Sequence, residues 1–172
     1  ASGVGEQAHI TQLPLMLHRQ ESGDPYLVGH MDKSNPQVPF LDDYPATAIF
    51  HGPDCYISPL VYATEQLPTW NYISVHIKGE LELISDPRQL ALSIVDMTER
   101  LEGEQAQYRL QPDDPRVLGL LPFIVGFRML IKEVQGRYKL SQDKSDLDKD
   151  LAKKHLKKAA KAGADDLIDL LV

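Results

Sequence analysis

At 172 residues and 19.3 kDa, with 42% hydrophobic and 25% charged side chains, the chain has a globular composition and enough length for a real core. Its net charge of −7 argues against non-specific nucleic-acid binding by the molecule as a whole, and its single cysteine, Cys55, excludes an internal disulfide and any Cys-based zinc pattern. No apolar run approaches the roughly 20 residues of a membrane span, so a soluble, cytoplasmic protein without a membrane partner is expected.

The chain opens Ala1-Ser2-Gly3-Val4-Gly5 without methionine, which reads as a fragment or as a chain entered through a flexible loop, with an upstream element expected. Between His9 and His18, Ile10, Leu13, Leu15 and Leu17 predict a strand, with Pro14 marking an edge or a bulge. Ser22-Gly23-Asp24 turns into a second strand over Tyr26–His30, giving a hairpin. Asn35-Pro36 opens a short helical or looped stretch to Tyr44. Ala46–Phe50 predicts a buried strand ended by Gly52-Pro53, and Tyr56–Ser58 a brief strand stopped by Pro59.

The clearest strand runs from Trp70 to Ile84. Ile73, Val75, Ile77, Leu81 and Leu83 alternate with polar side chains, and Gly79 predicts a bend or bulge midway. Ser85-Asp86-Pro87 then starts a helix, which carries Leu90, Ile94, Met97 and Leu101 to Gly103. A short helix over Pro115–Leu121 precedes a strand over Phe123–Val134. Gln135-Gly136 predicts a turn back into Tyr138–Leu140, and helices follow over Ser145–Ala162 and Ala164–Leu171. Six or so strands with inserted and C-terminal helices predict the α+β class. Closure into a small β-barrel is favoured because it removes exposed edges. The expected organisation is a barrel domain over 1–144 and a helical extension over 145–172.

No two of the histidines, His9, His18, His30, His51, His76 and His155, stand four residues apart, so no metal is expected. His30 and His51 flank turns, where either structural hydrogen bonding or a ligand contact fits. No Gly-x-Ser-x-Gly elbow or glycine-rich phosphate loop is present, and Cys55 fits a buried inert thiol. Between Lys144 and Lys161, seven lysines face three aspartates, a local +4. Lys149, Lys153, Lys154, Lys157, Lys158 and Lys161 fit a solvated helix face, with Leu147, Leu151, Leu156 and Ala159-Ala160 opposite; a nucleic-acid surface is the alternative. Tyr56–Pro59, Pro68–Tyr72 and Lys139–Gln142 gather aromatics, amides, hydroxyls and a cation near turns. Such a set can hold a flat, polar-edged ring with an anionic tail, Trp70 stacking on it and a lysine neutralising phosphate. Alternatively Trp70 is a core residue at a barrel mouth.

Five segments, 29–37, 50–59, 67–72, 124–127 and 139–142, occur in order and include Phe50-His51-Gly52-Pro53-Asp54-Cys55-Tyr56-Ile57-Ser58-Pro59 and Leu67-Pro68-Thr69-Trp70-Asn71-Tyr72. Together they closely resemble the PaiB-type family, whose members carry the name of negative transcriptional regulators, over roughly His9 to Lys144. The resemblance implies a split β-barrel of the FMN-binding, pyridoxamine-phosphate-oxidase-like superfamily, a homodimer with flavin at the subunit interface. Residues 29–35 would lie near the phosphate, with Lys33 as the charged contact beside His30 and Asn35. Ser58, Trp70, Asn71, Lys139 and Gln142 would complete the cofactor-binding set, with Trp70, Asn71 and the 139–142 end nearer the ring. Three departures from the family pattern stand out. Val61 replaces a tryptophan, Asp143-Lys144 replaces Asn-Arg, and the family's N-terminal helix and first strand are absent. The implied function is an FMN-binding regulator, with DNA as a partner by family name only. A small flavin-dependent oxidoreductase is the alternative, and a haem-binding barrel with a histidine axial ligand the weaker one. Flavin brings its own redox chemistry, so neither flavin reading needs a catalytic triad.

Overall fold

The computed structural model describes residues 2–4, 7–19, 23–103, 107–160 and 164–171. Ser22 of the expected turn, Lys161 of the lysine run and Ala162 of the expected helix lie outside the described residues, as do Ala1 and Gly5. The elements in chain order are β1 (Ser2–Val4), β2 (Gln7–His9), β3 (Met16–His18), β4 (Tyr26–Asp32), β5 (Ala46–Ile57), β6 (Thr69–Ile84), α1 (Pro87–Glu102), α2 (Pro115–Leu120), β7 (Ile124–Lys139), α3 (Asp146–Ala159) and α4 (Asp165–Leu171). The class is α+β, as expected. β1 and β2 form a separate antiparallel pair, and the other five strands form one sheet in the order β3-β4-β7-β6-β5. β3, β4 and β7 run antiparallel, with Leu17 opposite Leu27 and Gly29 opposite Phe127.

Three strand boundaries differ from expectation. Only Met16–His18 of the first segment joins the ladder. Its apolar alternation is nonetheless real, because Leu13 and Leu15 cover Gly29. A Cβ on that glycine would lie 2.6 Å from Leu15 Cδ2 and 3.1 Å from Leu13 Cδ1. β5 runs straight through Gly52-Pro53. It ends the strand order, and a proline without an N–H is tolerated at a sheet edge. β7 likewise continues past Gln135-Gly136 to Lys139. Its neighbour β6 is also 16 residues long, so a full-length ladder outweighs the local turn signal.

β6 passes Gly79 unbroken, and this glycine answers a close approach. A Cβ there would collide with the Leu130 carbonyl oxygen and lie 3.0 Å from both Leu130 C and Met129 Cγ. α1 begins and ends as its sequence indicates. Asp86 accepts from Arg88 N at 2.9 Å, Pro87 follows, and Gly103 closes the helix at φ 80°.

The chain forms two compact units, one of residues 1–47 and 78–133, the other of 48–77 and 134–172. In the first, α1 buries Leu90, Ala91, Ile94 and Val95 with Leu110, Val117 and Ile124. In the second, Cys55 and Ile57 of β5 and Ile73 of β6 pack with Leu140, with Ala152 and Leu156 of α3, and with Ile168 of α4. Cys55 is indeed buried, and burial pushes its thiol pKa up.

Candidate functional site

In the first unit, three candidate residues fall at or just past the end of β4. His30 stands opposite Gly126 of β7. Its Nδ1 is buried with no hydrogen-bond partner among the described residues, and burial lowers the imidazole pKa, which favours the neutral ring. Asp32 then accepts from Ser34 N at 2.7 Å and from Ser34 Oγ at 2.6 Å, which tightens the turn and lowers its own pKa. This turn presents Lys33, whose N–H donates to Phe123 O at 2.8 Å and whose Nζ donates to Pro122 O at 2.7 Å. The ammonium is exposed and keeps two further protons for a ligand. Asn35 is engaged internally. It accepts from Gln37 N at 2.9 Å and donates to Thr11 Oγ1 at 3.0 Å.

The other five candidates lie in the second unit. Ser58 Oγ accepts from Leu60 N at 3.3 Å and caps the 3₁₀ turn Pro59–Val61. Asn71, 1% exposed, donates to Ser141 Oγ at 3.1 Å, and Ser141 Oγ lies 2.8 Å from Tyr62 Oη. Ser141 holds φ at 62°, a conformation that side-chain-bearing residues rarely adopt. The buried bonds from Tyr62 and Asn71 fix it there. Gln142 closes a turn, accepting from Leu140 N at 2.7 Å and donating to Tyr138 O at 3.3 Å. Lys139 is exposed near the Asp143 carboxylate. Trp70 is 52% exposed, so it is not a core residue. Asn71 and Ile73 turn inward on β6, as Cys55 and Ile57 do on β5, and this leaves Tyr56, Trp70 and Tyr72 on the outward face of those strands.

Four of the eight candidates, His30, Lys33, Trp70 and Lys139, thus present groups a ligand can reach or complete. Asn35, Ser58, Asn71 and Gln142 are committed to bonds within the chain. Each unit by itself offers groups of the kind a flavin nucleotide needs: the first an exposed ammonium and a buried imidazole nitrogen, the second an exposed ammonium and an exposed indole. Among the described residues no group of three His, Cys, Asp or Glu side chains is placed to hold a metal.

Sequence reasoning missed Asp148, the buried carboxylate of the second unit. It accepts from Ala63 N at 2.6 Å, from Thr64 N at 3.3 Å and from the Thr64 hydroxyl, while its own N–H donates to Ser145 Oγ. The available signal was Ser145 three residues ahead, which caps α3. The Thr64 hydroxyl, aided by the N–H groups of Ala63 and Thr64, holds the carboxyl pKa below its ordinary 3.8, against the opposite pull of burial. A depressed folded value stabilises the fold above the unfolded pKa and ceases to do so as pH falls through the folded one. Asp148→Asn is therefore expected to lower the urea midpoint at pH 7. The gap from the parent should narrow below pH 4. Urea titrations at pH 7 and pH 3 check this, and an equal gap at both would rule the carboxylate's charge out.

Residues 1–133 match the model of a family described as "Putative FMN-binding domain". The chain is 33% identical over 141 residues to Protease synthase and sporulation protein PAI 2 of Bacillus subtilis (strain 168), covering 80% of this chain and 67% of that one. A Saccharomyces cerevisiae protein is 22% identical over 113 residues, 59% of this chain and 67% of its own. Among solved structures, a flavocytochrome from Azotobacter vinelandii aligns with a TM-score of 0.47 and 19% identity, over 73% of this chain and 54% of that one. This chain thus spans about half the length of the flavocytochrome. With its first 133 residues matched by the family model and a Bacillus PaiB relative at 33% identity, the chain belongs to the PaiB-type FMN-binding domain family.

Proposed function

We propose that the chain is an FMN-binding module. The observation that carries this reading is the unpartnered, buried Nδ1 of His30, three residues before the exposed ammonium of Lys33, on a segment the family model covers. A phosphate with nearly two negative charges needs cationic or N–H partners, and Lys33 supplies one. A neutral imidazole can donate to a phosphate oxygen or accept from a ribityl hydroxyl. In the second unit, the exposed indole of Trp70 is free to stack on an aromatic ring. FMN, when bound, supplies the redox chemistry itself. The residues named here bind it, orient it and balance its charge.

Two finer readings attach to this one. The family name supports a regulatory output, and a small flavin-dependent oxidoreductase is the alternative. They part on whether bound flavin turns over with an added reductant and acceptor. We also place the protein in the cytoplasm as a homodimer. Tyr56, Trp70, Tyr72, Leu60 and Leu67 are exposed in the second unit, and together they give apolar area that a two-fold partner can cover. Among the described residues no helix is long and apolar enough to cross a membrane.

The test is a titration of FMN by fluorescence quenching, with the same samples passed over size exclusion with light scattering. Lys33→Ala is expected to weaken FMN by about 1.5–3 kcal/mol, the range for a charge-assisted hydrogen bond. That corresponds to roughly ten- to 150-fold in Kd. Trp70→Ala should cost a similar amount through lost ring packing. A parent that binds no FMN sinks the function, both variants within about twofold of the parent sink the residue assignment, and a 19.3 kDa monomer sinks the dimer.

A further inference from the structure

α1 and α2 bound an open cleft of about 580 Å³ in the first unit, a volume in the range of sites that take drug-sized ligands. α1 contributes Pro87, Ala91 and Leu92 to its lining, and the stretch around α2 contributes Pro112, Leu118 and Leu121. Ala91 belongs to the buried core with Val117, whereas Leu92 and Leu118 stand exposed. The cleft thus holds apolar surface that the chain itself leaves wet. None of its lining residues is aromatic, and none belongs to the flavin candidates.

The cleft is preformed. Asp86 and Pro87 fix the first turn of α1, and Leu90 and Ile94 anchor the helix in the core. Asp114 N donates to Gln111 O at 3.1 Å. The Asp114 carboxylate accepts from Arg116 N at 2.8 Å, Nε at 2.9 Å and Nη2 at 2.6 Å. The Arg116 guanidinium in turn lies 5.8 Å from the centre of the Tyr108 ring. With Leu110 and Val117 buried in the same core, the run that carries Pro112 and Asp113 is pinned on both sides.

Two charged side chains line the cleft, Arg88 and Asp113. Among the described residues neither side chain forms a hydrogen bond or an ion pair, with the other or with any third group. Asp114, the very next residue, is by contrast fully engaged with Arg116. An apolar cleft with one uncommitted guanidinium and one uncommitted carboxylate is complementary to a molecule with an apolar body and two opposite charges. A guanidinium takes a carboxylate in a two-pronged pair, and a carboxylate accepts from an ammonium. Ligands of one sign fit less well, since a fatty acid meets Asp113 as a like charge and an apolar amine meets Arg88. A single apolar amino acid carries both charges but leaves most of such a cleft unfilled.

We propose that the α1–α2 cleft binds a short apolar peptide with free termini, Arg88 taking its carboxylate and Asp113 its ammonium. Isothermal titration of trileucine into the full chain, beside N-acetyl-trileucine and trileucine amide, tests this without any need for bound flavin. The free peptide is expected to bind, and either block to weaken it about tenfold or more, the loss of one charge-assisted hydrogen bond. Arg88→Gln should weaken the free peptide as much as amidation does, after which amidation costs nothing further. Asp113→Asn should do the same for acetylation. Leu92→Gln, which alters neither charge, should weaken all three peptides together. The three side chains are exposed, so thermal melts should coincide with the parent's. No binding of trileucine, blocked peptides bound as tightly as the free one, or an Arg88→Gln loss that amidation still deepens overturns the proposal. So does leucine or decanoate binding as tightly as trileucine. A Leu92→Gln variant that loses a dimer seen in the parent by light scattering would overturn it in favour of a second copy in the cleft.

Discussion

Replacing Gly79 with alanine is expected to destabilise the fold by about 3 kcal/mol, the upper end of the usual overpacking range. The added methyl would run into a main-chain carbonyl, that of Leu130, with Leu130 C and Met129 Cγ both 3.0 Å away. A side chain can rotate aside, but a carbonyl in the middle of a ladder cannot move without breaking β7 from its neighbours. Gly119 in α2 is the matched comparison, because nothing lies within 4 Å of a Cβ there. Gly119→Ala should be neutral or stabilising by about 0.5–1 kcal/mol, through higher helix propensity and a less flexible unfolded chain. Urea titration of the two variants measures the contrast. Equal midpoints would mean that the strands move apart to accept the methyl.

Leu156→Ala carries the second large effect, about 3 kcal/mol, within the 2–5 kcal/mol seen when buried leucines are cut to alanine. Leu156 is 1% exposed, and its cluster joins α3 and α4 to residues of β5 and β6. The loss should therefore appear in the sheet as well as in the helices. Hydrogen exchange at Ile57 and Ile73 would accelerate along with that of α3. A loss confined to the amides of residues 145–171 would show instead that the C-terminal helices unfold on their own. Leu147, 60% exposed on the same helix, should tolerate alanine within about 0.5 kcal/mol.

Where local chemistry and tertiary structure agree, the sequence was readable. β6 runs over the expected residues and buries Ile73, Ile77 and Leu81 in alternation, departing from it where Ser74 is buried and Leu83 exposed. α1 follows Asp86-Pro87 at its start and Gly103 at its end. Where they conflict, the long ladder won, as at Gln135-Gly136 and Gly52-Pro53, since a strand's partners are invisible in its own residues. The candidate site divides in the same way. Residue type singled out side chains that hydrogen-bond within the chain or stand exposed. It could not tell Lys33, which faces solvent, from Asn71, which is closed off by Ser141, 70 positions later. Asp148 escaped for a related reason. It sits among exposed aspartates and lysines of a polar helix, and its burial depends on Ala63 and Thr64, 85 and 84 residues before it.

The two compact units exchange chain inside strands rather than in loops. Residues 47 and 48 fall within β5, 77 and 78 within β6, and 133 and 134 within β7. Each unit is therefore assembled from two separate stretches of sequence, and no single cut of the chain sets either one free. Neither can be spliced into another protein as one continuous cassette, nor exchanged for a homologous piece by a single crossover. Substitutions on the two sides of these junctions must accumulate in a shared hydrogen-bonded framework, so the smallest portable module is the whole five-stranded sheet together with the helices that complete its second core.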